Sequence, residues 1–225
     1  AAFEAELERQ GVKDKVDLKA TGCHGFCEQG PVVILYPQEI CYLHVQPEDV
    51  AEIVSQTMEG QIVERLFYID PVTGEKIAHE PDIPFYKHQN RLLLGNNRFI
   101  DAKEIEDYIA LGGYKALAKA LFDMPPEQII EEIDRANLRG RGGGGFPAAK
   151  KWRSTRDAPG EPKHVIVNCD EGDPGAYMNR SLMEGNPHSV LEGLAIGAYA
   201  IGSHEGFIYV RQEYPLAVEN VTIAI

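Results

Sequence analysis

The sequence predicts an α/β protein of two modules, and three observations lead there. The chain has 225 residues, close to the roughly 250 at which a single core stops growing. Its first third alternates short apolar strands with one amphipathic helix. Its last third reads as strand, crossover helix, strand. A hydrophobic content of 44% with 25% charged residues is that of a chain able to bury a core.

The elements follow in order. A loop holding Cys23 and Cys27 precedes the apolar run Val32-Val33-Ile34-Leu35-Tyr36 and the alternating Cys41-Tyr42-Leu43-His44-Val45, which predicts two paired strands. Pro47 opens a helix whose apolar face carries Val50, Ile53 and Val54, and this module is expected to span 1–63. From 64 to 100 the periodicity is lost while Pro71, Gly74, Pro81, Pro84 and Gly95 punctuate the chain, so an extended connector is expected. The second domain, 101–225, begins with three helices. Asp101 and Glu104 form a capping-box-like start to the first, which Gly112-Gly113 ends. Tyr114 to Phe122 is the next, and Pro125-Pro126 opens the third with Ile129, Ile130 and Ile133 on one face. Then come a buried strand at His164–Val167, a helix at Ser189–Ile201 and a strand at Phe207–Val210, for which a right-handed parallel pairing is the default.

Charge and cysteine usage narrow the function classes. With 35 acidic against 22 basic residues the net charge is -13, which repels nucleic acid. No apolar run reaches the roughly 20 residues of a membrane span. The acidic start Ala1–Gln10 lacks the apolar core of a signal peptide. Four cysteines in so long a chain point to metal chemistry in a reducing compartment, hence a cytoplasmic protein.

The run Gly140-Arg141-Gly142-Gly143-Gly144-Gly145-Phe146-Pro147 is the most informative stretch. Backbone free of Cβ atoms lets its N–H groups approach an anionic or planar ligand. A flexible linker is the bland alternative, but linkers rarely carry an Arg, a Phe-Pro pair and a following Lys-Lys-Trp. The match to G-x-G-x-x-G is accidental, because the dinucleotide fingerprint follows a strand and this run follows a helix. A phosphate-binding loop of the Walker type is excluded, since Phe146 and Pro147 stand where Lys and Ser or Thr are required. Downstream, Asn168, Asp170, Glu171 and Asp173 cluster where open α/β sheets place ligands. Carboxylates there repel phosphate and accept hydrogen bonds from hydroxyls or ring N–H groups, so the glycine loop and Lys151 suit the phosphate and the acids suit sugar or ring. Taken alone, the acidic segment reads as a solvated turn with Pro174 and Gly175.

These motifs, together with Lys151-Trp152, the run Asn168 to Gly175, Arg180, Leu182-Met183-Glu184 and Pro187-His188, resemble the FMN-binding subunit of respiratory complex I over about residues 82 to 225. The resemblance implies a Rossmann-like FMN-binding domain in which NADH stacks on the flavin. Carried over, Gly140, Arg141, Gly142 and Lys151 line the FMN phosphate and ribityl chain, with Asn168, Asp170, Glu171 and Gly172 beside the ribityl and ring, while Phe146 and Asp173 face NADH. Asp173 stands where the family commonly has Glu, and Ser154 where it has an aromatic residue.

Cys23 and Cys27, with Gly22, Gly30 and Pro31, resemble the second cysteine pair of a thioredoxin-like 2Fe-2S ferredoxin. Cys41 and Cys169 read as buried small residues rather than ligands. The resemblance therefore implies a first cysteine pair upstream of Ala1 and, after Ile225, a further flavin motif and a four-cysteine 4Fe-4S motif: a domain pair incomplete at both ends. Ferredoxin fused ahead of a flavin domain is the arrangement of NAD-linked hydrogenases, formate dehydrogenases and electron-bifurcating complexes. The implied function is hydride transfer between NADH and FMN with single electrons passed to iron-sulfur subunits of a larger complex, a ferredoxin being a further candidate partner. No side chain is required as acid or nucleophile. Two other classes remain open: a cofactor-poor scaffold subunit, and a zinc module at Cys23 and Cys27.

Overall fold

The computed structural model describes residues 1–225 and divides into two compact units, Ala1–Gly95 and Asn96–Ile225. Both mix helix and strand.

The first unit opens with α1 (Ala2–Arg9) and contains β1 (Val33–Leu35), β2 (Ile40–Tyr42), α2 (Val50–Met58), β3 (Tyr68–Ile69), β4 (Lys76–Ile77) and the short α3 (Pro84–Lys87). The alternating pattern pairs β1 and β2 antiparallel, with Ile34 opposite Cys41. Ahead of α2, the Gln46 N–H donates to Asp49 at 2.7 Å in a capping box, and Pro47 occupies the first turn, as the proline predicts.

Strand β2 is buried on both faces, and its period of two decides what each face meets. Ile40 and Tyr42 join Val45, Ile53, Val63, Leu66 and Phe67 in one core. Cys41 and Leu43 point the other way, to Ile83 and Tyr86, with Phe26, Tyr68, Ile77 and Phe85 around them. The second face needs cover, and residues 64–95 supply it. The stretch expected as an extended connector is thus packed into this unit, which runs to Gly95 rather than 63. Aromatic side chains on irregular backbone bury area without helical or strand periodicity, so pattern alone reads them as loop.

The second unit holds α4 (Ile105–Ala110), α5 (Lys115–Asp123), α6 (Pro126–Arg135), α7 (Ala148–Asp157), β5 (His164–Cys169), α8 (Met178–Gly185), α9 (Pro187–Ile201), β6 (Glu205–Val210) and α10 (Pro215–Ala224). The capping box expected at Asp101 does not form at the helix end: α4 starts at Ile105, and Asp101 sits in the preceding turn, its N–H donating to Asp107 at 2.9 Å. Helices α5, α6, α7 and α9 share a core of Ala120, Met124, Ile129, Ile130, Ala149 and Ala200. Strands β5 and β6 pair in parallel, from His164 opposite Glu205 to Cys169 opposite Val210. Val167, Ile208 and Val210 face Met183, Tyr214, Ala217 and Val221 of α8, α10 and the loop before it.

Candidate functional site

The glycine run forms a closed loop between α6 and α7. Arg139 and Pro147 bridge its base, the Gly140 N–H donates to the Phe146 carbonyl at 2.9 Å, and the Ala148 N–H donates to the Leu138 carbonyl at 2.9 Å. Gly143 and Gly145 adopt φ of +99° and +58°, a region that disfavours any side chain. Around Gly142 to Gly145 the space a Cβ would take is open. The loop delivers the chain into α7, whose N-terminus has no side-chain cap. Unsatisfied N–H groups at a helix N-terminus beside a glycine loop attract an anion. Lys151, one turn inside α7, is exposed and its ammonium makes no ion pair, while an Arg141 guanidinium nitrogen donates to the Arg139 carbonyl at 3.3 Å. Open backbone, a free helix end and an unpaired ammonium fit the phosphate end of FMN. Phe146 is 58% exposed at the loop's edge.

The acidic segment follows β5. The Asn168 side chain accepts from the Asp170 N–H at 3.0 Å. Glu171 turns its carboxylate to the start of α8, accepting from the Asn179 and Arg180 N–H groups at 3.0 and 3.2 Å. The Glu171 carbonyl accepts from Arg211 and from the Tyr214 hydroxyl, the latter at 3.3 Å. Gly172 and Asp173 are exposed, and a Cβ on Gly172 would meet nothing. No hydrogen bond or ion pair joins residues 140–146 or Lys151 to Asn168–Asp173; each group is built separately on elements that pack against α9. Arg211 and Tyr214 were not among the residues that the sequence singles out. Arg211 lies one residue past β6, and a lone arginine there is indistinguishable in sequence from a solvated charge.

In the first unit, Cys23 and Cys27 are exposed and not joined in a disulfide, with Sγ atoms 3.5 Å apart, and the Gly25 N–H lies 3.2 Å from the Cys23 sulfur. Two thiolates on one tetrahedral metal at roughly 2.3 Å lie about 3.8 Å apart, so the spacing of the pair is close to that of two corners of a tetrahedral metal's coordination. Cys41 and Cys169 do not add to it. Burial pushes their thiols up to about 12 and about 11, leaving neither as a thiolate. No group of three or more metal-ligating side chains is assembled in the chain. Behind the pair, the largely buried His24 has Nδ1 3.4 Å from Glu80. An Arg91 nitrogen donates to the His24 carbonyl at 2.8 Å, with its guanidinium 4.7 Å above the Tyr86 ring.

Comparison with known proteins finds a family model on the second unit and curated relatives over much of the chain. Residues 133–225 match the family model described as the Nuo51 FMN-binding domain. The chain is 48% identical over 139 residues to the NADP-reducing hydrogenase subunit HndC of Solidesulfovibrio fructosivorans, covering 62% of this chain and 28% of that protein. It is 45% identical over 134 residues to the F 2 subunit of the NADH-quinone oxidoreductase of Rhizobium meliloti, covering 60% and 32%. It is 31% identical over 194 residues to the NAD-reducing hydrogenase HoxS subunit alpha of Cupriavidus necator, covering 86% and 30%. The chain thus spans less than a third of the length of each of these relatives. Residues 133–225, the stretch matched by the Nuo51 FMN-binding domain model, carry both the glycine loop and the acidic segment.

Proposed function

We propose that this chain is part of a flavoprotein subunit that takes hydride from NADH onto FMN, or the reverse, and passes single electrons to iron-sulfur clusters of a larger redox complex. The observation that carries this reading is the closed glycine loop at the uncapped start of α7 with Lys151 one turn inside, in a segment of an FMN-binding family. FMN would supply the conversion between a two-electron hydride and one-electron carriers. The chain's own residues bind and orient. Gly140, Arg141 and Gly142 present backbone N–H groups and a guanidinium to phosphate and ribityl oxygens, and Lys151 adds a charge-assisted contact. Asn168, Asp170, Glu171 and Gly172 are assigned to the ribityl and ring, Phe146 and Asp173 to the nicotinamide nucleotide.

The Rossmann-like character of the second unit and the thioredoxin-like ferredoxin character of the first belong to the same reading, with Cys23 and Cys27 as two of the four thiolates of a 2Fe-2S cluster. The partners are the other iron-sulfur subunits of such a complex, in the cytoplasm. Lys151→Ala tests the core of the proposal. Losing a charge-assisted phosphate contact, about 1.5 to 3 kcal/mol, should weaken FMN binding roughly 10- to 100-fold in the intact protein. Flavin retained through gel filtration reads it out, and wild-type occupancy in the variant rules out Lys151 as a phosphate ligand.

A further inference from the structure

We propose that Arg211 is the positioning residue of the acidic flavin segment, holding its backbone by one nitrogen and offsetting its charge by another. This rests on the FMN reading above. Asp170, Glu171 and Asp173 place three carboxylates within four residues, beside a cofactor that carries a phosphate and gains negative charge on reduction. Like charges so close splay a loop apart and disfavour an anionic ligand unless they are compensated. The structure compensates two of the three. Glu171 is taken by the N–H groups that open α8. Asp170 has the Arg211 Nε at 3.6 Å from its Oδ1. Asp173 has no partner for its carboxylate.

The parallel register explains why position 211 does this. Cys169 and Val210 are the last pair of β5 and β6, so the residues that follow them, Asp170 and Arg211, leave the sheet side by side. The guanidinium then works in three directions. Nη1 donates to the Glu171 carbonyl, Nε faces Asp170, and Nη2 donates to Glu213 at 3.0 Å. Its flat face lies 5.5 Å from the Tyr214 ring, whose hydroxyl binds the same Glu171 carbonyl. A planar fork can hold all of these at once, and an ammonium cannot.

The test compares Arg211→Gln, Arg211→Lys and the double variant Arg211→Gln, Asp170→Asn in the intact protein. FMN is titrated into flavin-free protein by fluorescence, and the flavin midpoint potential is measured in the loaded forms. Arg211→Gln should weaken FMN binding on the order of tenfold and make the midpoint potential more negative, because an uncompensated carboxylate opposes the gain of electrons. Arg211→Lys should recover the potential, which follows charge, but not the affinity, which needs the fork. The double variant should also recover the potential, and it reads the charge effect even if Arg211→Gln alone is poorly folded. A potential that ignores charge across the three variants, or wild-type affinity in Arg211→Gln, overturns the inference while leaving the FMN reading standing. Absence of FMN binding by the wild-type protein overturns both.

Discussion

Four cysteines occupy two kinds of surroundings, and the difference decides their chemistry. Cys41 and Cys169 lie in apolar cores that keep their thiols protonated, whereas Cys23 and Cys27 are exposed and face one another at 3.5 Å. The loop between the exposed pair is pinned from a distance by Arg91, which binds the His24 carbonyl. A pre-set pair spends little entropy on closing around a metal. In the intact protein, Cys23→Ser or Cys27→Ser should therefore abolish one 2Fe-2S signal in electron paramagnetic resonance, while NADH-to-ferricyanide turnover, which draws electrons near the flavin, stays within about twofold. An unchanged spectrum would remove these thiolates from the ligand set, and zinc in place of iron on metal analysis would make the first unit a zinc module. The pair is legible in sequence because thiols flanked by glycines have few other uses, and the glycine loop because its composition has none as a linker. Arg211 is not legible, since its role depends on which strand pairs beside it.

At the scale of elements, the parallel strand pair and its crossover helix could be read from apolar runs of the right length, as could β1 from its apolar run and β2 from its alternation. Helix α8 could not, because Pro174 and Gly175 precede it and its start is set by Glu171 from outside the helix. The start of α5 is set the same way. Glu192, buried on α9, accepts from the Tyr114 and Leu117 N–H groups at 3.1 and 3.0 Å and from the Tyr108 hydroxyl. This carboxylate does for α5 what a local cap does elsewhere, from 75 and more residues away in sequence. The arrangement needs Gly113, where an added Cβ would come within 2.1 Å of the Tyr108 ring. The ring cannot yield cheaply, since its hydroxyl is held by Glu192 and its face stacks on His188 at 5.8 Å between centroids. Gly113→Ala should cost about 1 to 3 kcal/mol or more by overpacking, measured by urea denaturation. A change below 0.5 kcal/mol, on the order of ordinary surface substitutions, would mean that α4 and α5 shift freely against α9.

For the molecule as a whole, the two compact units carry different groups: the exposed cysteine pair in Ala1–Gly95, and the glycine loop, Lys151 and the acidic segment in Asn96–Ile225. No helix is long and apolar enough to cross a membrane. If FMN contacts only residues of the second unit within this chain, its binding free energy should stabilise that unit's folded state. A ligand at 100 times its dissociation constant suppresses the opening of what it binds by about 100-fold, or about 2.7 kcal/mol. Amides that exchange only through such opening then slow by the same factor, and amides elsewhere do not. Hydrogen exchange of the intact protein, followed by mass spectrometry with and without FMN, should show this slowing in peptides from β5, α9 and β6, which form the framework on which the acidic segment is hung. Peptides from β1, β2 and α2 should exchange at unchanged rates. Equal slowing in both units would mean that the flavin site draws on the first unit as well. Slowing confined to the first unit, or absent from both at saturating FMN, would remove the flavin from residues 133–225 altogether.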